Sequence, residues 1–517
     1  MKARRTLRLS NHRKWENRAI PKGKRLAWLL LAAVVLIAVT LPARAKPTRE
    51  LFSNDQAITS AVKSYLHFEM TPFPNNLDVN TSQGIVTLSG SVNNILDKRR
   101  AVHIAESVRG VLGVVDLTVV TPEVRPDQDI RKDVLMALLN DPATTSYQIA
   151  VSVMDNEVTL TSKVGSLAES QLAQRVAEAV PGVKYIRNEL TVNYAGRRTD
   201  AEIAADVRSV LHWDIWLDVL PIQVTVQKGR VMLAGTVASA SQKTRAKQDA
   251  EVSGVLAVDP RGLKVVPTFH DHWRQWSQHA KRTDSDIAQA IRLALRNDPR
   301  VSAFDRTIFV TVEDHTAILD GSVENLKAKS SAGQDAFNIV GVAWVDNVLA
   351  VRPSMNMPSD TEADKGLQAA LHWDPALAGA NIQTAVVGHI AYLNGTVDSL
   401  SQKAEAYDVA SRIRGIVEIR NYLTPAPEPE YFFHNQPIND FETFGLSPHR
   451  SDAQIKKDIE RAFFWSPFVH RNDITVQVEG GVARLTGTVG SWIGYEEADR
   501  DAREGGAREV INELNVD

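Results

Sequence analysis

Apolar and polar positions alternate in short runs that recur along the chain. In Gly84-Ile85-Val86-Thr87-Leu88-Ser89-Gly90-Ser91-Val92 the apolar residues Val86, Leu88 and Val92 share one face, which is the period of a half-buried strand. The pattern ends on Gly-x-Val and returns at Arg230 to Val237, Thr316 to Val323, Ile390 to Val397 and Val482 to Val489. A further copy, Glu157 to Val164, has Ser162 where the others have glycine. The marker positions 90, 162, 235, 321, 395 and 487 are 72, 73, 86, 74 and 92 residues apart. A self-similar period of this size marks an array of one small module, with function expected from surfaces displayed along it.

The flanking patterns predict the rest of the module. Thr199-Asp200-Ala201-Glu202, Thr283-Asp284-Ser285-Asp286, Ser359-Asp360-Thr361-Glu362 and Ser451-Asp452-Ala453-Gln454 are helix starts. In each, a hydroxyl accepts from the amide three residues on and the residue there reaches back. Asn54-Asp55 begins the first copy, and Pro126-Asp127 breaks the rule in the second. Helical spacing follows, as in Ile203, Val207, Val210 and Leu211, then an alternating strand such as Ile222 to Val226. Six residues before each marker stand Gly84, Asn156, Gly229, His315, His389 and Gly481. These residue types tolerate the positive φ of a two-residue hairpin, so both histidines are read as backbone choices and not as ligands or bases. Exchange of either for glycine should then be neutral or mildly stabilising. A second helix ends at Gly110, Gly182, Gly254, Gly341, Gly415 and Gly506, each a C′ glycine, and a last strand closes the unit. The expected fold is α+β: six tandem αββαβ modules, each a three-stranded sheet with two helices on one face. Their expected bounds are 54–121, 127–193, 199–266, 283–352, 359–424 and 451–517, with linkers at 267–282 and 425–450.

Leu371-His372-Trp373-Asp374-Pro375 and Gly395-Thr396-Val397, set in this order of elements, resemble the BON (bacterial OsmY and nodulation) module, and six copies of it account for most of the chain. Copy two departs at Ser162, and copy six at Ser466 and Ala507. The resemblance implies a cell-envelope location, binding of phospholipid or envelope partners, and no catalytic chemistry.

Charge changes the picture at the N-terminus. Eleven Lys/Arg and one acid, Glu16, fall in the first 45 residues, so with −3 overall the remainder carries about −13. The apolar run 26–41 and Ala43-Arg44-Ala45 follow the basic region and read as an export signal, either cleaved or kept as an inner-membrane anchor. Both readings place the modules beyond the inner membrane, periplasmic or secreted. There is no cysteine, which excludes disulfides and thiolate chemistry.

Candidate chemistry is sparse. No phosphate loop, zinc-protease motif or nucleophile elbow occurs, and the acidic exported part disfavours nucleic acid. No enzyme activity, cofactor, metal or small-molecule substrate is expected; His270-Asp271-His272 is a polar linker stretch without fixed geometry. The end of the first helix presents Phe68, Asn140, Trp213, Asn297, Trp373 and Trp465 in the six copies. Each aromatic either folds back on its own sheet or reaches a lipid headgroup or partner, and Phe68, Trp213, Trp373 and Trp465 are the candidate contacts. Lys98, Arg99 and Arg100 make the first module the better membrane neighbour. The expected function is a non-enzymatic envelope protein binding phospholipid or envelope partners, in osmotic or envelope stress. A periplasmic holdase-like chaperone or interaction scaffold is the alternative. The unequal linkers predict groups of three, two and one modules.

Overall fold

The computed structural model describes residues 54–70, 76–144, 147–194, 196, 198–218, 220–267, 282–353, 357–377, 379–397, 400–425, 451–466, 469, 473–489, 492–507 and 509–516. The N-terminal run 26–41, the cluster His270-Asp271-His272 and the linker 426–450 lie outside them. Among the described residues no helix is long and apolar enough to cross a membrane.

The same five elements recur six times. Module 1 holds α1 (Asp55–Glu69), β1 (Leu77–Ser82), β2 (Ile85–Val92), α2 (Ile95–Ser107) and β3 (Gly113–Val120). Module 2 holds α3 (Asp127–Asn140), β4 (Ala150–Met154), β5 (Glu157–Val164), α4 (Leu167–Glu178) and β6 (Tyr185–Val192). Module 3 holds α5 (Asp200–Trp213), β7 (Ile222–Gln227), β8 (Arg230–Val237), α6 (Ala240–Asp249) and β9 (Ala257–Val265). Module 4 holds α7 (Asp284–Asn297), β10 (Ile308–Glu313), β11 (Thr316–Val323), α8 (Leu326–Phe337) and a broken last strand, β12 (Trp344–Asn347) and β13 (Ala350–Val351). Module 5 holds α9 (Asp360–Trp373), β14 (Asn381–Val387), β15 (Ile390–Val397), α10 (Leu400–Ser411), β16 (Glu418–Asn421) and β17 (Thr424–Pro425). Module 6 holds α11 (Asp452–Trp465), β18 (Ile474–Glu479), β19 (Val482–Val489), α12 (Trp492–Glu504) and β20 (Glu509–Val516).

In every module the middle strand pairs antiparallel with the strand before it and parallel with the strand after α. The alternation seen in the sequence becomes a buried face: Val86, Leu88 and Val92 point to the helices, while Thr87, Ser89 and Ser91 turn away. The modules are thus α+β units with one covered sheet face.

Local chemistry fixes each module. Thr199–Glu202 and Ser359–Glu362 form full capping boxes, whereas Pro126 caps nothing with its side chain. The hairpin residues Gly84, Asn156, Gly229, His315, His389 and Gly481 all have φ between 63° and 79°. The side chains present there are also used. His315 and His389 place Nδ1 2.9 and 3.1 Å from the carbonyls of Gly341 and Gly415, and the Asn156 amide donates to Gly182 O at 2.9 Å. A second fastener was not visible as such in sequence. The aspartate that opens each first helix accepts both amides of the hairpin turn: Asp55 from Gln83 and Gly84, Asp127 from Asp155 and Asn156, Asp200 from Lys228 and Gly229. Asp284, Asp360 and Asp452 repeat this in modules 4 to 6.

The Gly-x-Val glycine has a steric cause. At Gly235 a Cβ would lie 2.0 Å from the carbonyl oxygen of Pro221 on the neighbouring strand. Module 2 solves the same crossing differently. Ser162 is accommodated, its hydroxyl bonding the carbonyls of Tyr147 and Gln148, and the positive φ moves across the hairpin to Gln148.

The modules grouped by linker length, 1 to 3 and 4 with 5, do touch one another, but the groups are not separate. Arg109 of module 1 donates to Trp465 O of module 6, Arg414 of module 5 to Asn140 O of module 2, and Val340 of module 4 to Trp213 O of module 3. The described residues form one compact unit in which modules pair 1 with 6, 2 with 5 and 3 with 4. Linker length governs where a chain is free to separate, but apolar surface left over by small modules governs where it docks.

Two expectations follow. At His389, asparagine should be tolerated because it accepts the left-handed region and replaces the side-chain bond, as Asn156 does; valine should cost on the order of 1 kcal/mol or more. Urea denaturation of both variants checks this. The Asp200 and Asp360 carboxyls are held below the usual carboxylate range by the two turn amides each accepts. A depressed folded pKa gives stability that is present above the unfolded value and lost as pH falls through the folded one. An Asp200→Asn, Asp360→Asn variant should therefore lose part of the wild-type decline in melting temperature below about pH 4.

Candidate functional site

The end of each first helix is where the modules meet. Asn and Trp at this position face the C′ turn of the partner module, so a carbonyl freed by the helix end meets an amide that would otherwise be unpaired. Trp213 O accepts from Val340 N at 2.8 Å, Trp465 O from Arg109 N at 3.0 Å and Asn140 O from Arg414 N at 2.8 Å. The donor in each case is the residue just before the C′ glycine. The return bond depends on chemistry at the second module. In the pair of modules 3 and 4, Ser253 N donates to the Asn297 side chain at 3.0 Å. In the pair of modules 2 and 5, Pro181 occupies that place and has no N–H to give.

The tryptophan rings fill what the partner leaves open. Trp465 is 8% exposed and is part of the core of module 1, not of its own. Its neighbour Phe464 meets it edge to face at 5.1 Å, and Tyr65 donates to Ala462 O at 3.3 Å. Trp373 packs on the core of module 2, and Trp213 on that of module 4. The Arg282 guanidinium lies 4.6 Å over the Trp213 ring and pairs with buried Asp218 at 2.5 Å. Gly366 allows the close approach at the pair of modules 2 and 5: a Cβ there would sit 2.9 Å from the Asn140 amide nitrogen. Trp213, Trp373 and Trp465 do not fold back on their own sheets; the partner each meets is a sister module, which buries Trp465 and covers the half-buried Trp213 and Trp373 in part. The side chain of Phe68 lies outside the described residues.

A second contact, unnoticed in sequence, links modules 1, 2 and 3 in a cycle. The first residue of the second helix reaches the next core: Ile95 that of module 2, Leu167 that of module 3, and Ala240 that of module 1. Leu326 repeats it from module 4 to module 5. Each lies five residues after the marker, a recurrence that only the packing makes meaningful. Polar pairs line the same cycle. Arg99 forms an ion pair with Glu178 at 2.9 Å and the Thr244 hydroxyl donates to Glu106 at 2.9 Å, with Glu251 at the third equivalent place. Burial pushes all three glutamates above their ordinary pKa.

The basic cluster also has partners within the protein. Lys98 bonds Thr118 O and Asp116 within its module, and Arg99 is spent on Glu178, whose side chain is 3% exposed. Arg100 is half-buried and faces the charges of Asp97 and Asp374. Arg99 keeps 42% of its side chain exposed while it pairs with the buried Glu178. Among the described residues no three His, Asp or Glu converge in a metal-binding group.

If the seams hold the body together, truncating Trp465 should be the most damaging of the three, at about 3–5 kcal/mol for a buried indole. Trp213→Asn and Trp373→Asn, half-buried, should cost less. Urea denaturation of the single variants gives the order, and an unchanged midpoint for Trp465→Asn would contradict the seam.

The repeated module is one known from other proteins. The BON domain model matches residues 54–122, 126–194, 199–267, 283–353, 359–427 and 451–517. The chain is similar to osmotically-inducible protein Y of Escherichia coli (strain K12), with 33% identity over 146 residues, 27% of this chain and 73% of that protein. Among solved structures it matches the C-terminal domain of CdsD, a structural protein of the type III secretion system of Chlamydia trachomatis. That match has 14% identity, covers 44% of this chain and all of that one, and its TM-score of 0.12 gives it no weight. With six matched modules spanning most of its length, the chain belongs to the BON domain family.

Proposed function

We propose that the protein is an exported, non-enzymatic cell-envelope protein whose six-module body contacts membrane phospholipid through its first module, in the setting of osmotic or envelope stress. The similarity to an osmotically-inducible protein and the basic, then apolar, N-terminus support the setting. One observation carries the contact. Val115, Leu117 and Val119 form a row on the outward face of β3 and are 43%, 59% and 54% exposed. The outward positions of β6 are Arg187, Glu189 and Thr191 beside Tyr185, and those of β20 include Glu509 and Glu513. The aliphatic row sits on the module that follows the apolar run 26–41 by only a dozen residues of chain.

Magnitudes decide how such a contact works. Three half-exposed aliphatic side chains supply on the order of 3 kcal/mol on burial, a millimolar affinity when alone. A tether to the bilayer raises the local concentration enough for that to matter, so the row and an N-terminal anchor act together. The aromatic helix ends are not needed for it.

Vesicle co-sedimentation of residues 46–517 and of the full chain in vesicles tests the reading. Leu117→Glu should weaken the association several-fold in both while leaving the melting curve unchanged, because the residue lies off the core. Suppression of client aggregation with no vesicle association would support the holdase-like alternative instead.

A further inference from the structure

The seam between modules 3 and 4 contains more carboxyl groups than its cations can neutralise. Asp214 and Asp298 follow the first helices of the two modules, and Asp249 and Asp335 occupy equivalent places on α6 and α8. The four are brought together by the backbone of the seam, where Asp214 bridges Ile339, Ile215 N donates to Asn338 O and Val340 N to Trp213 O. Arg245 is the cation among them. It bonds Asp214 Oδ2 at 2.6 Å and lies 3.4 Å from Asp249. The remaining oxygens of the first pair are already used, since Asp214 Oδ1 accepts from Trp216 N and Asp298 Oδ1 from Arg300 N.

Among the described residues, Oδ2 of Asp249 and Oδ2 of Asp335 are buried and meet no donor. Each faces a second carboxyl instead, Asp249 that of Asp214 and Asp335 that of Asp298. Two carboxylates share a hydrogen bond only when a proton lies between them, and like charges this close cannot both ionise at small cost. Fully ionised, four carboxylates against one guanidinium would leave an excess of about three negative charges in a buried seam.

The geometry points to a proton-locked seam: Asp249 with Asp214, and Asp335 with Asp298, each share one proton, and the modules 3 and 4 loosen from each other when those protons leave. Among the described residues, the charged groups around them are otherwise engaged. Arg300 of module 4 is engaged by Asp141 of module 2 at 3.0 Å, and Tyr147 of module 2 is a neutral phenol beside Asp298. On the far side of Trp213, Arg282 is paired with Asp218 and neighbours His212. From module 1, Glu106 faces α6 but bonds Thr244.

Burial and the facing carboxyl hold both Asp249 and Asp335 well above the usual carboxylate range. For such a group the folded state binds the extra proton, so stability declines as pH rises from the unfolded value of about 4 up to the folded one. The lock therefore tightens on acidification, opposite in sign to the turn-clamping aspartates, which weaken in acid.

The test uses the full chain in mild detergent and peptide-level amide exchange, corrected for intrinsic rate. Segments 213–217 and 338–342 carry the seam amides, and segment 231–237 of β8 is the internal reference. In the wild type, seam protection relative to the reference should fall by roughly tenfold or more between about pH 5 and pH 9, as one unit of linked ionisation implies. In Asp249→Asn, Asp335→Asn the amide nitrogen donates where the proton did, and the ratio should become flat. The single Asp335→Asn variant should show an intermediate slope and serves if the double variant folds poorly. A wild-type ratio that does not change with pH overturns the proposal, as does an unchanged slope in the Asn variants.

Discussion

A sheet of three short strands with two helices on one face has only a thin core, and its ends stay open. In this chain the opening at the end of the first helix is closed from outside, by the C′ turn and core of another module. The carbonyl at that helix end accepts the amide before the partner's C′ glycine, and one indole fills the gap beside it. Both groups are ordinary by-products of a helix terminus. Joining them satisfies a donor and an acceptor that water would otherwise hold, and removes apolar ring surface from solvent at the same time. The pairing of modules 1 with 6, 2 with 5 and 3 with 4 rests on that contact.

Within a module almost everything was legible, because the information is local. Alternation gave the strands, Thr199-x-x-Glu202 and Ser359-x-x-Glu362 gave the helix starts, and the six C′ glycines gave the ends. His315 and His389 could be read correctly because positive φ narrows the choice of residue. The clamp made by Asp55, Asp200 and their equivalents was less legible, since an acid in the first turn already has a sufficient explanation in the helix dipole.

The seams were illegible for a different reason. Trp465 and Arg109 are brought together across most of the chain, and no period in the sequence announces which copies pair. A signal was present nonetheless. Asn140 and Asn297 stand where other copies have an aromatic. In the fold, Asn140 faces the module of Trp373 and Asn297 the module of Trp213. Each of these two seams holds one indole and one short amide, so asparagine is the complement of the partner's tryptophan and not its loss. The run Lys98, Arg99 and Arg100 is a parallel case: it reads as a solvated face until the acids opposite it, Asp116 and Glu178, are placed.

The pairing 3 with 4, 2 with 5 and 1 with 6 is nested, and nesting matters for how such a chain can close. Modules 3 and 4 are neighbours in sequence, whereas the contact of modules 1 and 6 spans a loop nearly three times longer. Closing the longer loop from an open chain costs only about 1 kcal/mol more, because loop entropy grows with the logarithm of length. One buried indole outweighs that difference, so chain length does not prevent the outer pair from forming. What it does affect is order. Once modules 3 and 4 are joined, modules 2 and 5 are held near each other, and the cycle of Ile95, Leu167 and Ala240 draws module 1 to the same place. Each seam then lowers the entropy still to be lost by the next. The seam at the centre of this nest is also the one with the surplus of carboxyl groups, so the contact that most favours the others is the one whose strength depends on protons.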